Sequence, residues 1–287
     1  MIFVSSSCVR TDRISDSVRQ LADRGYRCIE LSGGTQRYDG LQEDLISLRA
    51  EYGLHYRCHN YFPPPQNHFV LNLASSDNAI RERTLDHVRE AAQLCAALDI
   101  EVYSIHAGFR IDIAASDVGR GIPAQELSPL AATQTRFRAA LREVTALFGP
   151  SVLVYVENNV LSQENHRTFG GQNPFLMTHA AQIVELLERC EVRLLLDVGH
   201  LQVSAQSLGL SLADELDALL ARCDYVHISD NDGRADTNQP LLPQSPLYRL
   251  LWDRRELLHG KAFTVEVYAG MRDLEATHSS LEELLHA

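Results

Sequence analysis

The stretch VRLLLDVGH, Val192 to His200, decides how this chain is read. Past Arg193 the residues are branched and apolar until polar groups come at the end. That is the pattern of a strand buried on both faces, the parallel kind, rather than of one with a solvated face. Asp197 and His200 then stand three positions apart. The spacing fits a metal-ligand pair, and it equally fits a strand end followed by a helix cap. The motif alone leaves both open, so the rest of the chain has to decide.

The same kind of run recurs on either side. It appears as IFVS from Ile2, CIEL from Cys28, HYRCHN from His55, EVYSIHA from Glu101, VLVYVEN from Val152, YVHISD from Tyr225 and FTVEVY from Phe263, making eight strands in all. Helical patterns fill the gaps. SDSVRQLADRG has Ser15 as its expected N-cap and Gly25 as a stop signal, and a further helix is expected between Gly40 and Gly53. In DNAIRERTLDHVREAAQLCAALD, the residues Ile80, Leu85, Val88, Ala91, Ala92 and Cys95 recur at helical spacing. TQTRFRAALREVTALFG, PFLMTHAAQIVELLERC, LADELDALLARC, PLYRLLWDRRELLHG and SLEELLHA follow the same logic. Strict alternation over one domain-sized chain predicts an α/β fold, a closed (β/α)8 TIM barrel in a single domain spanning residues 1–287. No Gly-x-Gly-x-x-Gly follows the first strand, which counts against a dinucleotide fold. The long loops NYFPPPQNHFVLNLASS, GFRIDIAASDVGRGIPAQELS, NVLSQENHRTFGGQN and NDGRADTNQPLLPQS all follow strands, where a barrel builds its active site.

Composition narrows the class. With 45% hydrophobic and 22% charged residues over 287 positions, the chain can build a large core without disulfides. Its six cysteines form no Cys-x-x-Cys, and MIFVSSSCVR reads as a first strand rather than a leader. The expectation is reduced thiols, a cytoplasmic location and no membrane span. The net charge of −12, with Lys261 the only lysine, argues against nucleic acid as partner, because such binding rests on neutralising phosphates. The chain is compatible with a homo-oligomer.

The polar residues at the strand ends carry the chemistry. They are Glu30 on the second strand, His59 on the third, His106 on the fourth and Glu157 on the fifth. Asp197 and His200 follow on the sixth, His227 and Asp230 on the seventh, and Glu266 on the eighth. In a (β/α)8 barrel these ends converge on one face. Clustered carboxylates do not all stay ionised without a cation, and a divalent metal resolves the conflict. Glu157, Asp197, His227 and Glu266 form a three-oxygen, one-nitrogen set suited to Mn²⁺, Mg²⁺ or Co²⁺, with Zn²⁺ also compatible. The absence of cysteine from the set argues against a structural zinc site.

At these residues the chain resembles the xylose-isomerase-like TIM-barrel superfamily, which includes sugar and sugar-phosphate isomerases and epimerases and also endonuclease IV. The carriers are CHNYFP with His59, SIHAG with His106, VENN with Glu157, LDVGH with Asp197 and His200, HISDNDG with His227, and VEVY with Glu266. The resemblance spans essentially the whole chain. By position it implies that Glu157, Asp197, His227 and Glu266 hold one divalent metal ion. It also implies that Glu157 and Glu266 double as catalytic acid/base residues and that His200 contacts substrate. The endonuclease pattern implies more ligands, with His59, His106, His200 and a later Asp-x-His pair completing a three-zinc cluster. Here that segment reads RADTN: Asp236 matches, but Asn238 stands at the His position, and a neutral amide is a poor zinc ligand. The expectation is therefore one metal, with room for a second. His59, His106, Asp236 and Asn238 join His200 among the expected substrate-binding residues.

The function this implies is a divalent-metal-dependent isomerase or epimerase of a sugar or sugar phosphate. The metal acts as a Lewis acid on the substrate carbonyl. One of Glu157 and Glu266 removes the α-proton, and the other or the same residue returns it through an enediolate. Arg110, just after His106, is a candidate partner for a phosphate or carboxylate. Trp252 and Phe62 either line the sugar's apolar face or pack in the core. Two alternatives remain: a metal-dependent phosphodiesterase or AP-endonuclease-like hydrolase, and a lyase or dehydratase on the same scaffold. His59 and His106 favour the hydrolase, while Asn238 and the net charge count against it.

Overall fold

In the decisive stretch, β6 (Arg193–Asp197) is buried from Leu194 to Asp197. Alternate side chains of a strand face opposite ways. Leu194 and Leu196 join the main core, whereas Leu195 clusters with Tyr155 and Tyr225 apart from it. Leu195 and Asp197 thus share the inner face of the sheet, and Leu195 sits directly beneath the acid.

The computed structural model describes residues 1–117, 121–268 and 270–286; positions 118–120 of the expected loop after the fourth strand lie outside the described residues. The strands are β1 (Ile2–Ser5), β2 (Cys28–Leu31), β3 (His55–His59), β4 (Val102–His106), β5 (Leu153–Glu157), β6, β7 (Tyr225–Ile228) and β8 (Ala262–Val265). Each pairs in parallel with the next, and β1 pairs with β8, closing the barrel. The register sets Asp197 beside His227, His106 beside Glu157, and Glu30 beside Arg57. The helices are α1 (Ile14–Asp23), α2 (Leu41–Tyr52), α3 (Asn78–Ala97), α4 (Leu130–Phe148), α5 (Gln163–Thr168), α6 (Ala180–Leu187), α7 (Val198–Leu208), α8 (Leu212–Leu220), α9 (Pro246–Trp252) and α10 (Met271–His286). None of the described helices is long and apolar enough to cross a membrane.

Two local expectations are corrected. Ser15 does not cap α1; it lies inside the first turn, and its hydroxyl accepts from Tyr38 Oη at 2.9 Å. LADELDALLARC forms α8, but a helix precedes it. α7 starts directly at Val198 and is buried at Val198, Gly199, His200, Leu201, Val203, Ser204 and Ala205. A helix enclosed on most of its surface has no polar face to set up an amphipathic period, so its pattern is silent in the sequence. Gly199 permits the close approach, because a Cβ there would meet Ser229 Oγ at 2.6 Å.

Beyond the strand ends the loops build a second small core of Ile111, Ile122, Leu161, Phe169 and Phe175. Buried asparagines tie it down. Asn159 Nδ2 donates to the carbonyls of Ala107, Gly108 and Leu176 at 2.9–3.1 Å. Trp252 stacks on Tyr248 of α9, and Phe62 is fully buried in the main core, so both serve packing.

Candidate metal centre and active site

His227 is the hub of the strand-end cluster. Its Nδ1 lies 3.2 Å from Glu266 Oε2, 3.7 Å from Glu157 Oε1 and 3.9 Å from Asp197 Oδ2. β5, β6 and β7 thus supply one donor each, and the residue just after β8 supplies the fourth. All four side chains are buried. Glu157 Oε2, Asp197 Oδ2 and His227 Nδ1 have no hydrogen-bond partner. Buried polar atoms are normally satisfied, and a cluster of orphans aimed at one point has the donor chemistry of a cation site. Glu157, Asp197 and His227 can offer donor atoms within 4.8 Å of one another.

The remaining histidines surround Glu157. His59 Nε2 is 3.2 Å from Glu157 Oε2, while its Nδ1 pairs with Ser104 Oγ at 2.8 Å. His106 Nε2 is 3.6 Å from the same oxygen and is the most open of the group, with 27% of its side chain exposed. His59, His106 and Glu157 form a second set able to hold an ion. His200 lies on the far side: its Nδ1 is 2.9 Å from the Asn158 carbonyl and 3.4 Å from Glu157 Oε1, and its Nε2 is 3.2 Å from Asp236 Oδ2.

Asp197 does two things at once. One oxygen, Oδ1, accepts from the His200 backbone N–H at 2.7 Å and caps α7; the other, Oδ2, faces the cluster without a partner. The cap reading of LDVGH is thus realised by one oxygen, and the other is left unpartnered at the cluster. Asn158 locks this corner, donating from Nδ2 to the Asp197 carbonyl at 3.0 Å and accepting from the Asp197 N–H at 2.8 Å.

Charge is divided unevenly. Burial pushes Glu157 up to about 8, against the pull of the His227 and His200 charges. Burial also raises Asp197, only partly offset by His200. Burial works against ionised Glu266 too, but the adjacent His227 imidazole wins and holds it well below the usual range. Burial opposes charge on His227 and His200, yet the carboxylates around them outweigh it and push both well above the ordinary imidazole value. His59, by contrast, is lowered to about 4 by burial, and His106 falls well below its ordinary value for the same reason, aided by the neighbouring imidazoles. Without a metal, protons on His200 and His227 balance the carboxylates. A divalent cation held there would take over that role and displace them.

Two expected substrate contacts are occupied otherwise, and a third is half engaged. Arg110 donates from Nε to the Ser128 carbonyl at 3.0 Å and from Nη1 to the Asn173 carbonyl at 2.9 Å, so it staples two loops instead of presenting a free fork to an anion. Asn238 is buried and donates to the Glu266 carbonyl at 3.2 Å, holding the end of β8. Asp236 pairs with His200 through Oδ2, while its buried Oδ1 has no partner. The sequence reading missed Asn158, Ser104 and Tyr268, whose hydroxyl donates to Glu266 Oε1 at 2.8 Å. The alternation of a strand offered a signal for two of them, since Ser104 is two before His106 and Tyr268 two after Glu266. Asn158 had none beyond adjacency.

The family model described as "Xylose isomerase-like TIM barrel" matches residues 18–281. Among curated proteins no sequence match is found. A D-tagatose 3-epimerase-like protein superposes with a TM-score of 0.73 at 18% identity, covering 99% of this chain and 97% of that one. L-ribulose 3-epimerase gives 0.70 at 14% identity, with 99% and 94% covered. Endonuclease IV from Thermus thermophilus gives 0.62 at 17% identity, with 98% and 99% covered. At these identities the likeness to the solved structures is one of fold.

Proposed function

The chain belongs to the xylose isomerase-like TIM barrel family, and on that basis we propose that it is a divalent-metal-dependent isomerase or epimerase of a sugar or sugar phosphate. The observation that carries the reading is the convergence of Glu157, Asp197 and Glu266 on one nitrogen, His227 Nδ1, all within 3.9 Å, with the unpartnered atoms Glu157 Oε2, Asp197 Oδ2 and His227 Nδ1 among them. Glu157, Asp197, His227 and Glu266 would hold the ion. When bound, it supplies Lewis acidity toward a substrate carbonyl and so acidifies the adjacent C–H.

The chain's own residues then manage the proton. Glu157 and Glu266 approach from β5 and from beyond β8, and two carboxyls whose environments push their affinities for protons apart suit an acid and a base. Glu266 is fixed by Tyr268, and with the ion bound both carboxyls ionise to hold it, so the one nearer the substrate C–H takes the proton and the other, or the same one, returns it. Return of the proton to the opposite face of the same carbon epimerises, and return to the neighbouring carbon isomerises. His106, the most open of the group, lines the approach as a hydrogen-bonding group for substrate hydroxyls, and the His200–Asp236 pair stands beside it. General acid and base groups such as Glu157 and Glu266 typically contribute about 10²–10⁴-fold each. The 3-epimerase descriptions of two fold neighbours support the reaction class.

One observation favours a second reading. His59, His106 and Glu157 form a further ligand set that a one-metal isomerase does not require, and an endonuclease IV is among the neighbours of fold. Metal analysis separates the two, followed by a screen of ketoses, aldoses and their phosphates for solvent-deuterium uptake in D₂O. One ion per chain with deuterium at a substrate α-carbon supports the isomerase or epimerase. Three zinc ions per chain with cleavage of abasic DNA would sink it.

A further inference from the structure

We infer that Glu30 is a positioning residue: buried inside the barrel beneath the site, it fixes the His227 imidazole so that Nδ1, and not Nε2, is the nitrogen offered to the metal. The inference rests on the metal reading above. Glu30 is on β2, far in sequence from the four proposed ligands, and is completely buried. Its Oε1 lies 3.0 Å from His227 Nε2, an ion-pair contact between two buried atoms neither of which has a hydrogen-bond partner elsewhere. Its Oε2 accepts from the Tyr225 hydroxyl, which also pairs with Thr264 Oγ1 at 2.7 Å.

A carboxylate in this position calls for an explanation. The inner layer beneath is built of Tyr155, Leu195 and Tyr225, the bulky filling that barrel interiors favour. An apolar side chain at position 30 would extend that layer without the desolvation cost of a charge. What Glu30 adds is direction. An imidazole that gives its Nε2–H to a carboxylate keeps its Nδ1 lone pair for a metal, and the carboxylate makes that lone pair more basic. The Tyr225 hydroxyl, itself paired with Thr264 Oγ1, holds the other carboxylate oxygen, so Oε1 is kept facing the His227 ring. The stacking of Arg57 on the Tyr225 ring, 4.1 Å from its centroid, anchors the phenol in turn.

The test uses the full chain. In the zinc-loaded protein, labelled with ¹⁵N at histidine, His227 should carry its proton on Nε2 and bind the ion through Nδ1. A bare Nε2 with a protonated Nδ1 overturns the inference without any variant. Mn²⁺ titration then compares the wild type with Glu30→Gln, which keeps the shape and removes the charge, and with Tyr225→Phe, which removes only the phenol hydroxyl. Glu30→Gln should weaken Mn²⁺ binding about 10–100-fold, the usual effect of losing an outer-shell partner, with unchanged far-ultraviolet circular dichroism. Tyr225→Phe should weaken it by a smaller factor. Wild-type affinity in a folded Glu30→Gln overturns the positioning role and leaves the metal reading standing. Loss of one bound equivalent with the remaining affinity unchanged also overturns it, because Glu30, His59 and His227 can themselves offer donor atoms within 4.8 Å of one another and Glu30 would then be a ligand of a deeper ion. No binding by the wild type overturns the metal reading and this inference together.

Discussion

Replacing Asp197 separates the two roles its carboxylate performs. Oδ1 accepts the His200 N–H at 2.7 Å and caps α7, while the unpartnered Oδ2 faces Glu157 and His227. Asp197→Asn keeps a carbonyl oxygen for the cap, and Asn caps helices about as well as Asp. Asp197→Ala removes it and strands a buried N–H. A lost cap costs about 1 kcal/mol, and an unsatisfied buried donor costs about 1–3 kcal/mol. These figures describe the same event, so the Ala variant should be about 1–3 kcal/mol less stable than the Asn variant. Relief of repulsion from Glu157 and Asp236 is common to both substitutions and cancels in the comparison. For a chain of this size each kcal/mol moves the midpoint by roughly 2 °C. Thermal unfolding in the presence of chelator reads this difference. Mn²⁺ titration reads the ligand role. Once its oxygen holds the cap, the Asn amide turns NH₂ toward the ion, so both variants should bind far more weakly than wild type. An Asn variant as unstable as the Ala variant would refute the cap. An Asn variant that binds Mn²⁺ like the wild type would refute the ligand.

Three further outcomes follow from the charges and contacts at the site. Glu157 is raised to about 8 when folded, so its contribution to stability is complete below the ordinary carboxylate range and is lost as pH rises through about 8. The metal-free wild type should therefore lose stability relative to Glu157→Gln between pH 5 and 8, at most about 1.4 kcal/mol per pH unit; parallel urea-unfolding profiles for the two proteins would contradict this. Because the cation displaces protons from His227 and His200, Mn²⁺ binding should release protons and strengthen with pH, which calorimetry in buffers of different ionisation heat measures; binding without proton release would refute the charge assignment. Arg110→Ala should lower stability by about 1–3 kcal/mol through its two carbonyl bonds and leave KM for phosphorylated substrates unchanged, whereas a raised KM at unchanged Tm would restore Arg110 as an anion contact.

The barrel was legible because each strand announces itself as a short apolar run and nearly every end carries a polar residue. That pattern marks all eight strands, and closure then gathers residues more than 200 positions apart, such as Glu30 and Glu266, into one interior. What stayed hidden has physical reasons. α7 is too enclosed to show an amphipathic period. Arg110 and Asn238 have the side chains of ligand contacts but spend them on backbone carbonyls, and only the folded loops reveal that. Glu30 was visible as a strand-end acid, yet its role depends on which nitrogen of His227 it faces, and that is a matter of depth in the barrel rather than of sequence.

The central claim is that Glu157 and Glu266 move a proton at a substrate carbon. The direct measurement is deuterium uptake from D₂O into a turned-over substrate, followed by NMR for wild type, Glu157→Gln and Glu266→Gln at matched metal occupancy. The account predicts uptake at the α-carbon by the wild type and losses of about 10²–10⁴-fold in each variant. Wild-type exchange rates in both variants, with metal bound, would contradict it.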